Sequence, residues 1–187
     1  MRLRYIVLNA VILFTSSTSL FAQNEIVMKE CWYKKSIAYK GDHTLIRRAF
    51  DKLDKNNTLI IGVIGGSITA GAASSDFGKT SWGPLLAQWF RQTYPTADIQ
   101  FYNAGIGATN SIFGVHRIDN DLLVHQPDLV VVEFSVNDMN TVGTKMSYES
   151  MMRKILNSDK KPAVLAMGLM TDTGDNWQEY HLPVCMN

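Results

Sequence analysis

Three short stretches of small and polar residues hold the chemistry this chain could carry. They are Gly65-Gly66-Ser67-Ile68-Thr69-Ala70-Gly71, Asn103-Ala104-Gly105-Ile106-Gly107-Ala108-Thr109-Asn110 and Ser135-Val136-Asn137-Asp138. The first sets the hydroxyl of Ser67 in a glycine-bounded turn at the expected start of a helix. Backbone N–H groups at such a start can stabilise a developing negative charge. The alternative is that Ser67 only caps that helix. The four histidines, His43, His116, His125 and His181, show no metal-ligand spacing, and neither do Cys31 and Cys185. The two thiols could form one bridge in an oxidising compartment or stay unpaired.

The elements that must position these stretches alternate along the chain. Residues 23–43 read as irregular. Thr44 to Leu53 has apolar residues at helical spacing, with Thr44 as a possible cap. Thr58 to Ile64 reads as a strand buried on both faces. An amphipathic helix is expected from Trp82 to Tyr94, ended by Pro95, and a strand from Asp98 to Tyr102. A helix over 112–123, a strand over 129–134, a helix over 148–156 and a strand over 163–167 follow. Strands alternating with helices predict a parallel sheet with helices on both faces. In such sheets ligands bind beyond the carboxyl ends of the strands, where all three stretches lie.

Three familiar loops fail on spacing. Gly78-Lys79-Thr80 resembles the end of a phosphate-binding loop, but Ala73 stands where its first glycine belongs. Gly105 and Gly107 begin a dinucleotide fingerprint that Asn110 breaks. The nucleophile elbow of α/β-hydrolases needs glycine two residues after its serine and meets Thr69. What the stretches do resemble, in order and each after a strand, are the blocks of the SGNH (GDSL-like) hydrolases. Gly66-Ser67-Ile68-Thr69-Ala70-Gly71 is similar to the first block, with Gly66 in place of its aspartate. Asn103 to Thr109 is similar to the second, and Val136-Asn137-Asp138 to the third.

The resemblance implies a three-layer α/β/α sandwich with a parallel sheet, flavodoxin-like in the family sense. It implies that Ser67 attacks an ester carbonyl. Oxyanion donors would be the N–H of Ser67, the N–H of Ala108 (with Gly107 as the fallback) and the side-chain amide of Asn137. Asp138 would support the loop. The family's base and its orienting carboxylate lie in an Asp-x-x-His block, and that spacing is not found in these 187 residues. His43 directly follows Asp42, His116 precedes Asp119, Asp121 and His125 are four apart, and Asp175 and His181 six apart. His181 is the one late histidine and the possible base, with a loop position as the plainer reading. The sequence therefore reads as a sandwich incomplete at its C-terminus, and residues 23–187 alone are expected to be nearly inactive and marginally stable.

Around the blocks, Met151, Met152, Met167 and Met170 read as core filling. Glu133 could orient the site or bind a charged partner. Arg117 could position substrate, or be an exposed helix arginine. Residues 1–22, with Arg2, Arg4 and an apolar stretch before Ala22, read as a signal peptide, hence a secreted or periplasmic protein. That stretch is shorter than the about 20 residues of a comfortable membrane span. Residues 23–57 are then an extension and first helix, and 58–187 a partial hydrolase domain. The formal charge of +1 and the 46% apolar content describe an ordinary globular chain and give no reason to expect nucleic acid. The complete protein is expected to hydrolyse esters, carbohydrate O-acetyl groups first and lipid or short acyl esters second, with no metal or organic cofactor. A catalytically inactive sugar-binding relative is the alternative.

Overall fold

The computed structural model describes residues 29–174 and 176–186. The signal peptide read over 1–22 and Asp175 lie outside them. The chain divides between Lys40 and Gly41. In the first unit Glu30–Ser36 forms helix α1, where irregular chain was expected, with Lys34 paired to Glu30 at 2.9 Å.

The second unit runs α2 (Thr44–Asn56), β1 (Thr58–Gly65), α3 (Ser67–Ala70), α4 (Trp82–Thr93), β2 (Asp98–Gly105), α5 (Ser111–Asp121), β3 (Leu129–Glu133), α6 (Val142–Asn157), β4 (Ala163–Ala166) and α7 (Gln178–Met186). Thr44 is the first helical residue of α2 rather than its cap, and its amide is held by Asp42 Oδ1 at 2.8 Å. The strands form one parallel sheet in the order β2-β1-β3-β4. The chain steps one way from β1 to β2 and the other way thereafter. Right-handed crossovers then require helices on opposite faces. Phe50 of α2 and Phe90 of α4 meet at 6.0 Å over one face, and Gly83 of α4 leaves room for Phe101 and Val63. Under the other face, Ile64, Val130 and Val132 pack with Ile118 of α5 and Tyr148, Met151 and Ile155 of α6. Each such side chain, fully buried, contributes about 1.5–3 kcal/mol. This is the α/β/α sandwich that the alternation predicts.

The order 2-1-3-4 has its switch point between β1 and β3, and open α/β sheets bind ligands beyond the carboxyl ends of the strands at such a point. Gly65 pairs with Gly105 on one side and Glu133 on the other. All three polar stretches therefore leave the sheet at the same edge.

Candidate active site

At the end of β1 the backbone turns where no side chain fits. A Cβ on Gly65 would lie 2.8 Å from Thr69 Cβ, and one on Gly66 would lie 2.6 Å from Asn137 Cγ. The amide of Asn137 thus packs directly on the α-carbon of Gly66, next to Ser67. The N-cap of α3 is Gly66, and no side chain caps it, so Ser67 does not serve as the cap. Its hydroxyl and its amide have no hydrogen-bond partner among the described residues, and Ser67 is half-buried.

The second stretch is stitched to the first. Asn103 Nδ2 donates to Thr69 O at 2.8 Å, and the Ile106 amide donates to Gly65 O at 3.2 Å. Gly105 lies so close to α3 that a Cβ would stand 2.5 Å from Thr69 C. Ala108 adopts φ +57°, in the left-handed region, whereas Gly107 does not. The Ala108 amide also lacks a partner among the described residues. Asn110 then caps α5, accepting from the Phe113 amide at 3.3 Å.

The third stretch follows Glu133, which is fully buried. Burial pushes its carboxyl above the usual carboxylate range. The Ser135 hydroxyl and the Ser135 and Val136 amides pull the other way, as does nearby His181. Glu133 Oε1 accepts from the Ser135 amide at 3.0 Å and hydroxyl at 3.1 Å, while Oε2 is buried with no partner. Asn137 Oδ1 is likewise buried and unpaired. Asp138 supports the loop: Oδ1 accepts the Ser111 amide at 2.7 Å, and Oδ2 lies 2.7 Å from His181 Nε2.

His181 is not a loop residue. It sits on α7, buried, with its ring stacked on Tyr148 at 3.8 Å. Among the described residues no hydrogen bond joins it to Ser67. The arrangement therefore brings together Ser67, Asn137 and the Ala108 loop, and leaves His181 bonded to Asp138 instead.

A family model for the GDSL-like lipase/acylhydrolase family matches residues 63–183, which span all three stretches. The chain belongs to that family. It is also similar to the crystal structure of a two-domain esterase (CEX) active on acetylated mannans, with 37% identity and a TM-score of 0.78. That match covers 82% of this chain and 42% of the esterase, so the chain spans less than half of that protein's length. TesA matches at 26% identity and a TM-score of 0.53, over 67% of this chain and 69% of its own. A mutant of Axe2, an acetyl-xylooligosaccharide esterase from Geobacillus Stearmophilus, shares the fold at 17% identity and a TM-score of 0.51, covering 68% of this chain and 70% of that one. A search among curated proteins finds no match.

Within this GDSL-like frame two departures from the block pattern have physical partners. Gly66, in place of the aspartate, makes the space that Asn137 fills. Ala108, where the resemblance to the second block implies glycine, takes up a left-handed backbone that glycine would adopt without strain. Arg117 corrects the exposed-helix reading: it is buried, and its guanidinium reaches Gly65 O. Met151 and Met152 fill the core, but Met170 is exposed. Among the described residues no helix is long and apolar enough to cross a membrane.

Proposed function

We propose that this protein is a serine ester hydrolase that removes O-acetyl groups from carbohydrates through an acyl-enzyme on Ser67. The observation that carries the reading is the seating of Asn137 on Gly66, one residue before a half-buried hydroxyl with no hydrogen-bond partner among the described residues. Attack forms the Oγ–C bond, and the carbonyl oxygen becomes an anion. The amides of Ser67 and Ala108 and the side chain of Asn137 are its proposed donors. One such donor is worth about 10²–10³ in rate. The alcohol then departs, and water releases the acetate.

The proton of Ser67 must pass to a general base and on to the departing alcohol. We do not assign that role to His181 as it stands, since its Nε2 is engaged by Asp138. The carbohydrate substrate rests on the similarity to the esterase active on acetylated mannans, a structure of which was co-crystallised with mannopentaose. Lipid or short acyl esters are the alternative substrates. The basic and apolar N-terminal sequence supports a secreted or periplasmic location.

A second reading, a sugar-binding relative without turnover, is favoured by one observation. No described side chain is hydrogen-bonded to Ser67 Oγ. Acetate release from acetylated manno-oligosaccharides by the full-length protein separates the two. Hydrolysis that Ser67→Ala abolishes, with an unchanged circular dichroism spectrum, is the expected result. More than about a hundredth of the activity surviving in Ser67→Ala would sink the assignment. Binding without any acetate release would favour the second reading.

A further inference from the structure

We infer that Arg117 is a positioning residue for the nucleophile turn, which rests on the reading of Ser67 as nucleophile. Arg117 lies on the inner side of α5, two turns beyond the Ala108 loop, with its side chain only 9% exposed. Its Nη2 donates to Gly65 O at 3.3 Å, in a buried bond across 52 residues of sequence. Its Nη1 is held by Asp121 Oδ2 at 3.0 Å on the same helix, and the Phe113 ring lies 5.8 Å from the guanidinium carbon. Nε is buried without a partner.

A buried arginine is costly unless its charge is compensated. One half-exposed aspartate and one carbonyl compensate it only in part, so a hydrophobic residue would serve stability at least as well. What the arginine adds is a hold on one peptide plane. The Gly65 carbonyl shares its plane with the Gly66 amide, and Gly66 turns the chain into Ser67. The same carbonyl accepts the Ile106 amide at the start of the second stretch. No side chain on Gly65 or Gly66 can brace that turn, because a Cβ at either would collide with Thr69 or Asn137. The guanidinium braces it through the backbone instead. It links the helix behind the Ala108 loop to the residue that aims Ser67. A misplacement of about 1 Å at a reacting group can cost about 10²-fold in rate.

The test compares Arg117→Met, Arg117→Gln and Asp121→Asn in the full-length protein. Active sites are counted by stoichiometric phosphonylation with an aryl alkylphosphonate, and the modified residue is located by mass spectrometry. Turnover of an aryl acetate is then expressed per reactive serine. Loss of the brace should lower kcat per reactive serine by about ten- to hundredfold in both Arg117 variants, with KM within about twofold. Asp121→Asn, which leaves the Gly65 bond in place, should keep kcat within about twofold. Unchanged kcat per reactive serine in either Arg117 variant that folds would overturn the inference and leave Arg117 a structural residue. An equal loss in Asp121→Asn would also overturn it, by making the ion pair the cause. Phosphonylation at a residue other than Ser67 would instead defeat the underlying assignment of the nucleophile.

Discussion

Ala108 holds its backbone at φ +57°, a conformation that costs an L-residue roughly 1–2 kcal/mol and glycine almost nothing. A donor that acts through its main chain does not depend on the side chain. Ala108→Gly is therefore expected to keep kcat within about threefold and to leave stability unchanged or raised by up to about 1 kcal/mol, since the entropy glycine loses on folding offsets part of the relief. A large fall in kcat would show that the methyl group itself contributes. Asn137 is the opposite case, because its amide is the proposed donor. Asn137→Ala should lower kcat by about 10²–10³ with little change in KM, as the bond strengthens only when the oxyanion forms. A large rise in KM with normal kcat would show that Asn137 binds substrate instead. The positions of both residues beyond strand ends were legible because a strand precedes each and the polar stretches stand out. The partner that Asn137 packs on was not, since the contact with Gly66 joins residues 71 positions apart.

At the scale of the elements, the turn after β3 rests on a buried carboxyl. Glu133 is raised above its ordinary value of 4.5, first by burial, so the folded state holds this proton more tightly than the unfolded chain does. A group raised in this way stabilises the fold fully at pH below its unfolded value. The contribution is lost as pH climbs through the folded value. Stability should therefore decline as pH rises above about 4.5. Glu133→Gln, which cannot ionise, should make that decline shallower. Urea unfolding of both proteins at several pH values above 4.5 checks this, and equal slopes would contradict it. β1 and β3 could be read from sequence because each is an apolar run buried on both faces. Their polar ends could not. β2 extends past Tyr102 because Asn103, Ala104 and Gly105 pair with Val63, Ile64 and Gly65. Helix α6 starts at Val142, six residues before the expected Tyr148. Its capping box uses Thr141 and Thr144 rather than an acidic third residue. Helix α7 carries Pro183 in its interior, a residue that argues against a helix in any local reading. Its place is fixed from a distance, by the Trp177 amide on Ser135 O at 2.7 Å and by His181 on Asp138.

Across the whole molecule, the strand order places β1 and β3 at the centre of the sheet and hangs Ser67 and Asn137 from their adjacent ends. Alternation of element types was enough to predict a parallel sheet, and the order of strands and stretches was enough to place all three stretches at one edge. The pairing of Asp138 with His181 and the reach of Arg117 to Gly65 join distant segments. They depend on side chains meeting in space, which spacing along the chain does not encode. If Ser67 is the nucleophile of an ester hydrolase, the covalent enzyme can be trapped. The full-length protein is mixed with an aryl acetate, quenched in acid during the first turnover, digested and sequenced by mass spectrometry. The expected result is an acetyl group on the peptide that contains Ser67, localised to that residue and absent from Ser67→Ala. Aryl acetate turnover with no acetyl group at Ser67, or with the label on another side chain, would contradict it.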